Sequence, residues 1–149
     1  MNPQIKIALD AARDAGKIIL QNYDHIEKLT INQKGKNDFV SEVDLQAEQA
    51  IVRALHKAYP SDAIIGEEEG FHYGNENSVR RWVIDPLDGT TNFLHQFPLF
   101  CTSIALIQEG KIESGLIYCP LLSEYFAASR GDGARCNQHR IRVSKKTSF

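Results

Sequence analysis

Trp82-Val83-Ile84-Asp85-Pro86-Leu87-Asp88-Gly89-Thr90-Thr91-Asn92-Phe93 is the stretch on which the reading of this chain turns. An apolar strand runs into Asp85. A proline-bearing turn follows, then a second carboxylate, a glycine and two hydroxyls. Two carboxylates three residues apart at the end of a buried strand are costly unless positive charge holds them. A metal ion is the simplest source of that charge. Oxygen ligands without a nearby Cys or His at ligand spacing favour Mg²⁺, Ca²⁺ or Mn²⁺ over Zn²⁺. Gly89-Thr90-Thr91 reads as a helix start, whose free N–H groups suit a phosphate. Metal carboxylates beside an anion site point to metal-assisted phosphate chemistry.

Outward from this stretch, the chain before it is helical and the chain after it is strand-rich. Asn2-Pro3 reads as a cap with proline at the first helical position. Ile5, Ala8, Leu9, Ala12, Gly16, Ile19 and Tyr23 recur at helical spacing and predict a first helix to about Tyr23. Asn32 to Phe39 reads as a loop or short hairpin. A second helix is expected from Ser41, stopped by Tyr59-Pro60. Ala63 to Glu67 and Arg81 to Asp85 read as short strands, with a mobile surface loop over Glu69 to Val79 between them. Cys101 to Gln108 and Lys111 to Tyr118 flank the hairpin signal Glu109-Gly110. Glu124 to Ser129 and a last hairpin over Ala134 to Val143 complete the pattern. The expected class is α+β, two helices packed on one face of an antiparallel sheet.

The 149 residues suffice for one domain with a core, and 42% apolar with 24% charged residues is ordinary globular composition. The net charge of −2 gives no basis for direct nucleic-acid binding or for attraction to an anionic membrane. No run approaches the length of a membrane span, and Lys6, Asp10, Arg13 and Asp14 interrupt the first apolar segment, so no signal peptide is read there. Cys101, Cys119 and Cys136 are odd in number and lack paired spacing, which suits reduced thiols in a cytoplasmic protein.

Glu67 and Asp85 can meet if their strands are neighbours. Taken alone, Glu67 to Glu69 also reads as a solvated acidic loop. Asp44, three residues after Ser41, reads as a capping-box partner at a helix start, and Thr90 and Thr91 as simple caps. The five histidines are scattered without metal spacing and read as structural or exposed, His95 lying nearest the site.

Asp85-Pro86-Leu87-Asp88-Gly89-Thr90-Thr91-Asn92-Phe93, preceded by Gly66-Glu67-Glu68 and by Lys34-Gly35-Lys36-Asn37-Asp38-Phe39-Val40-Ser41-Glu42-Val43-Asp44, resembles the inositol monophosphatase family, most closely its bacterial SuhB-type branch. The resemblance implies a Mg²⁺-dependent, lithium-sensitive phosphatase of inositol 1-phosphate or related small polyol phosphates, with Mn²⁺ as an alternative ion and a homodimeric habit. It places Glu67, Asp85 and the Leu87 carbonyl on one ion and Asp85 with Asp88 on a second. Glu67 would also reach a third ion through water. Thr90 would hold the attacking water, with Asp44 accepting from its hydroxyl, so that Thr90, Asp44 and Glu67 form the catalytic group. Asp88, Gly89 and Thr90 would meet the phosphate.

Family members are nearly twice as long and carry a Trp-Asp-x-Ala-Ala-Gly-like signature that has no counterpart here, where the only tryptophan is Trp82. Residues 1–149 are therefore expected to be the N-terminal metal- and phosphate-binding domain of the sugar-phosphatase fold, with the C-terminal domain absent. Within the superfamily, a fructose-1,6-bisphosphatase or a 3′-phosphoadenosine phosphatase is the alternative. A different class of reading is a binding factor for the bacterial transcription antitermination machinery.

Overall fold

A computed structural model describes residues 1–26 and 33–148. Helix α1 spans Pro3–Ile26. The Asn2 side chain accepts from the Gln4 N–H at 2.9 Å, so the expected cap is present. Gly16 brings α1 close to the sheet: a Cβ there would stand 2.8 Å from the Tyr118 ring. Helix α2 spans Gln33–Ala58. It thus includes most of the segment expected as loop or hairpin, and it begins well before Ser41; Asn32 lies outside the described residues. One Gly at about 1 kcal/mol does not break a helix, and Phe39, Val40 and Val43 keep the same inward face as Ala47 and Ile51. Asp44 consequently lies deep within α2, and the capping-box reading of Ser41 and Asp44 is overturned.

The strands are β1 (Ala63–Gly66), β2 (Gly70–Tyr73), β3 (Arg80–Asp88), β4 (Cys101–Gln108), β5 (Lys111–Cys119), β6 (Glu124–Ser129), β7 (Gly133–Cys136) and β8 (His139–Ile141). A short helix α3 (Thr90–Leu94) follows β3, and a single 3₁₀ turn, Pro120–Leu122, precedes β6. They form one sheet in the order β2-β1-β3-β4-β5-β6-β7-β8. The sheet is mixed, not purely antiparallel: β1 and β3 run parallel, with Ile64 opposite Trp82 and Gly66 opposite Ile84. The reason lies in the segment expected as a mobile loop. Phe71-His72-Tyr73 forms β2, which turns back along the outer side of β1. The chain then re-enters on the other side in the original direction.

A buried polar clamp holds the parallel pair. Asp62, just before β1, accepts from Arg80 Nε at 3.0 Å and Nη2 at 3.1 Å, and from Trp82 Nε1 at 2.9 Å. Tyr59 stacks on Trp82 and faces the Arg80 guanidinium. From β3 onward the sheet is a meander. The β4–β5 hairpin turns at Glu109 and Gly110, both at positive φ, as a two-residue turn requires.

Both long helices cover one face of the sheet, with Trp82, Ile84, Ile104, Leu106 and Leu116 buried beneath them. The opposite face stays open. Val83 is 38% exposed, Ile117 43% and Phe126 36%, and a groove of about 340 Å³ runs between Ser103, Ile117, Phe126, Arg135 and Ile141. A contiguous apolar face of this kind favours an added layer or self-association. The 149-residue chain is expected to bind an apolar dye and to self-associate with rising concentration. A strict monomer by light scattering that leaves the dye dark would contradict this.

Candidate active site and metal centre

Parallel pairing sends the C-terminal ends of β1 and β3 to the same edge. The Glu67 N–H donates to the Ile84 carbonyl at 3.0 Å, which sets Glu67 beside Asp85. The β3–β4 ladder slips by one residue between Asp85, opposite Ser103, and Asp88, opposite Cys101. Such a bulge re-aims side chains. Pro86, which has no N–H to donate, sits in it, and the Thr102 hydroxyl donates to the Pro86 carbonyl at 2.9 Å. Leu87 buries its side chain and turns its carbonyl to the Thr90 hydroxyl at 3.0 Å. The structure thus gives Thr90 a different partner from the one the resemblance implies, Asp44. Gly89 adopts φ 93°, the left-handed conformation that glycine tolerates, and packs against the Leu99 carbonyl and Phe100. Among the described residues no side-chain hydrogen bond caps the start of α3 at Gly89, so its first N–H groups remain available.

From the other side α2 contributes two acids one turn apart, Asp44 at 5% exposure and Glu48 at 0%. Burial, then the negative charges of Glu68, Asp85, Glu67 and Glu48, push the Asp44 carboxyl up to about 8. Burial, the hydrogen bond with Glu67 and the charges of Glu67 and Asp88 push Asp85 up to about 7, against the Leu87 N–H. Glu68 is raised as well, by burial and then by Glu67 and Glu48. Among the described residues, Asp44 Oδ1 and Asp85 Oδ1 are buried without a hydrogen-bond partner. Such orphaned acceptors are uncommon in a folded protein. Together with an all-oxygen donor set, they fit a hard divalent cation.

Asp44, Glu67, Asp85 and Asp88 therefore form one electrostatically linked group, with the Leu87 carbonyl, Gly89 and Thr90 at its edge. A depression of about 370 Å³ beside Glu67, Asp85 and Val83 and another of about 260 Å³ beside Asp88, Gly89 and Asn92 flank it. All three cysteines are free and half-buried, as expected. Cys101 lies 3.8 Å from an Asp88 oxygen, and burial first, with that carboxylate, pushes its thiol up to about 12. His95 closes α3 through its backbone N–H on the Thr91 carbonyl.

Sequence reasoning missed Glu48, Glu69 and His72. His72 Nε2 lies 2.7 Å from Glu48 Oε1, and its Nδ1 lies 3.7 Å from a Glu69 oxygen. The available signal was a charge at position 48 within the apolar stripe Val43, Ala47 and Ile51.

Comparison with known proteins finds likenesses that span nearly the whole chain. The profile of the Inositol monophosphatase family matches residues 1–149. The Nus factor SuhB of Pseudomonas aeruginosa is 49% identical over 150 residues, covering 100% of this chain and 55% of that protein. The Nus factor SuhB of Escherichia coli is 46% identical over 144 residues, covering 97% and 54%. The chain thus spans about half the length of the curated relatives it matches. Among solved structures, the extragenic suppressor protein suhB of Bartonella henselae superposes with a TM-score of 0.85 at 42% identity, covering 97% of this chain and 56% of that one. The inositol monophosphatase of Anabaena (Nostoc) gives 0.81 at 34% identity, covering 95% and 50%. Two helices on a mixed sheet, the acidic end of β3 and these likenesses lead to one conclusion: the chain belongs to the inositol monophosphatase family.

Proposed function

We propose that the protein is a Mg²⁺-dependent, lithium-sensitive phosphomonoesterase acting on inositol 1-phosphate or a related small polyol phosphate, with Mn²⁺ able to replace Mg²⁺. Residues 1–149 act in it as the N-terminal metal- and phosphate-binding domain, in a cytoplasmic homodimer. Among the described residues no helix is long and apolar enough to cross a membrane. The observation that carries the reading is the pair of buried, partnerless carboxylate oxygens on Asp44 and Asp85, beside Glu67 and an uncapped helix start.

In this reading Glu67, Asp85 and the Leu87 carbonyl would hold one ion, and Asp85 with Asp88 a second. Bound metal supplies a lowered water pKa and positive charge against the phosphoryl oxygens. The Thr90 hydroxyl, which donates to the Leu87 carbonyl in the metal-free chain, would orient the attacking water, and Asp44 would accept from it. Asp88 and the Gly89 and Thr90 N–H groups fix the phosphate by charge and hydrogen bonds. A substrate panel separates this activity from the fructose-1,6-bisphosphatase and 3′-phosphoadenosine phosphatase alternatives.

The relatives named Nus factor SuhB favour a second reading, in which the protein also binds the transcription antitermination machinery. Capture of RNA polymerase or Nus factors that survives Asp85→Asn would separate binding from catalysis.

Mn²⁺ or Mg²⁺ is expected to raise Tm, by about 1.4 kcal/mol of stability when the ion stands at about ten times its Kd. Asp85→Asn should abolish that shift and any metal-dependent phosphate release. A melting curve indifferent to millimolar metal would show that the site does not form in this chain.

Turnover of inositol 1-phosphate by the 149-residue chain should be at least ~10²-fold slower than by a relative of full length, because one part of a cooperative catalytic group is lost. Rates equal to those of a full-length relative, abolished by Asp85→Asn, would contradict this.

The metal-free fold should also lose stability as pH rises. Asp44 and Asp85 bind protons in the folded chain up to about 8 and about 7, against an ordinary 3.8. Their contribution is therefore full below the ordinary value and is lost as pH climbs through the raised ones. In a chelator, Tm is expected to fall steadily between pH 5.5 and pH 8.5. Asp44→Asn should flatten that slope, and added Mg²⁺ should restore most at the alkaline end. A chelated Tm that climbs over this range would refute the assignment.

A further inference from the structure

We propose that Glu48 is a positioning residue whose buried carboxylate, seated in the space left by Gly66, fixes the turn after β1 and thereby aims Glu67 at Asp85; its bearing on metal binding rests on the reading above. Glu48 is 0% exposed. Its Oε2 accepts from the Glu68 N–H at 2.8 Å, and its Oε1 accepts from the Glu69 N–H at 3.1 Å and from His72 Nε2–H at 2.7 Å. The preceding amide, that of Glu67, is held by the Ile84 carbonyl. Three consecutive N–H groups of one acidic turn are thus bound from outside it, by two different elements. The backbone that carries Glu67 is thereby fixed on both sides, and the exposed Glu67 side chain meets Asp85 from it.

The seat itself is specific. A Cβ on Gly66 would fall inside the Glu48 carboxylate. The carboxylate cannot swing aside without breaking three hydrogen bonds. A glutamine of the same shape cannot replace it either, because an amide offers one acceptor oxygen where two oxygens here receive three donors. His72 comes from β2, so the same carboxylate also ties the outer strand to α2. One group at the middle of α2 therefore gathers β1, β2 and the acidic turn, while Asp44 one helical turn earlier faces the cluster that the turn completes.

The test uses the 149-residue chain, with Mn²⁺ binding followed by electron paramagnetic resonance, Tm in chelator, and amide exchange by NMR. Glu48→Gln should remain folded, raise the Kd for Mn²⁺ at least tenfold and speed exchange of the Glu68 or Glu69 amide. A lower Tm with unchanged Kd overturns the proposal, since a merely structural carboxylate would behave that way. Gly66→Ala should weaken Mn²⁺ binding at least tenfold in the wild-type background, yet by less than twofold when added to Glu48→Ala, where the space is vacated. Equal losses in the two backgrounds overturn it as well. If the wild-type chain binds no Mn²⁺, the metal reading falls, and the amides decide the strut. Faster exchange in Glu48→Gln supports it, and unchanged exchange overturns it.

Discussion

Removing a carboxylate from water costs several kcal/mol unless something replaces the lost solvation. The structure does this repeatedly at one edge of its sheet. Glu48 is fully compensated by two backbone amides and an imidazole. Asp44 and Asp85 are not, and their raised pKa values record the difference. The metal-free fold meets the shortfall with protons. A divalent cation would meet it with charge at a pH where protons are scarce. The same desolvation that makes the cluster expensive would strengthen every interaction with a bound phosphate, because fixed charges act more strongly where water is thin.

That cluster exists because two strands run parallel in a sheet that is otherwise antiparallel. An antiparallel β1–β3 pair would send Glu67 and Asp85 to opposite edges. The Asp62 clamp on Arg80 and Trp82 holds the pair at its N-terminal end, where β1 begins. The Glu67–Ile84 hydrogen bond closes it at the other. Architecture and chemistry thus meet in a four-residue strand. Its last residue must be glycine for one acid to lie beneath it, and the residue that follows is an acid of the site.

Much of this was legible in the residues. The period of α1, the hairpin at Glu109-Gly110 and the strand running into Asp85 follow from local pattern, whereas the meeting of Glu67 with Asp85 hung on neighbouring strands and came about through a parallel pairing that local pattern did not reveal. What escaped was non-local. Lys34 to Asp38 is polar and contains Gly35, so it reads as a break, yet tertiary packing of Phe39 and Val40 carries the helix through it. Phe71 to Tyr73 is too short and too exposed for period to distinguish strand from loop, and only pairing with β1 reveals it. Glu48 was hidden for the opposite reason. A single charge in an apolar stripe looks like noise until the three donors that satisfy it, all distant in sequence, are seen around it.

The sheet ends in two very short strands, β2 with four residues and β8 with three. Unpaired edges invite further strands, and short or charged edges discourage them. Arg140 lies within β8, and Arg142, Lys145 and Lys146 follow it. The open apolar surface of this molecule is a face, not an edge. Contact through a face is settled by shape and closes once the face is covered. Contact through an edge repeats its own template without limit. A layer or a second copy laid over that face would therefore close the contact, while the short edges discourage growth into a fibre.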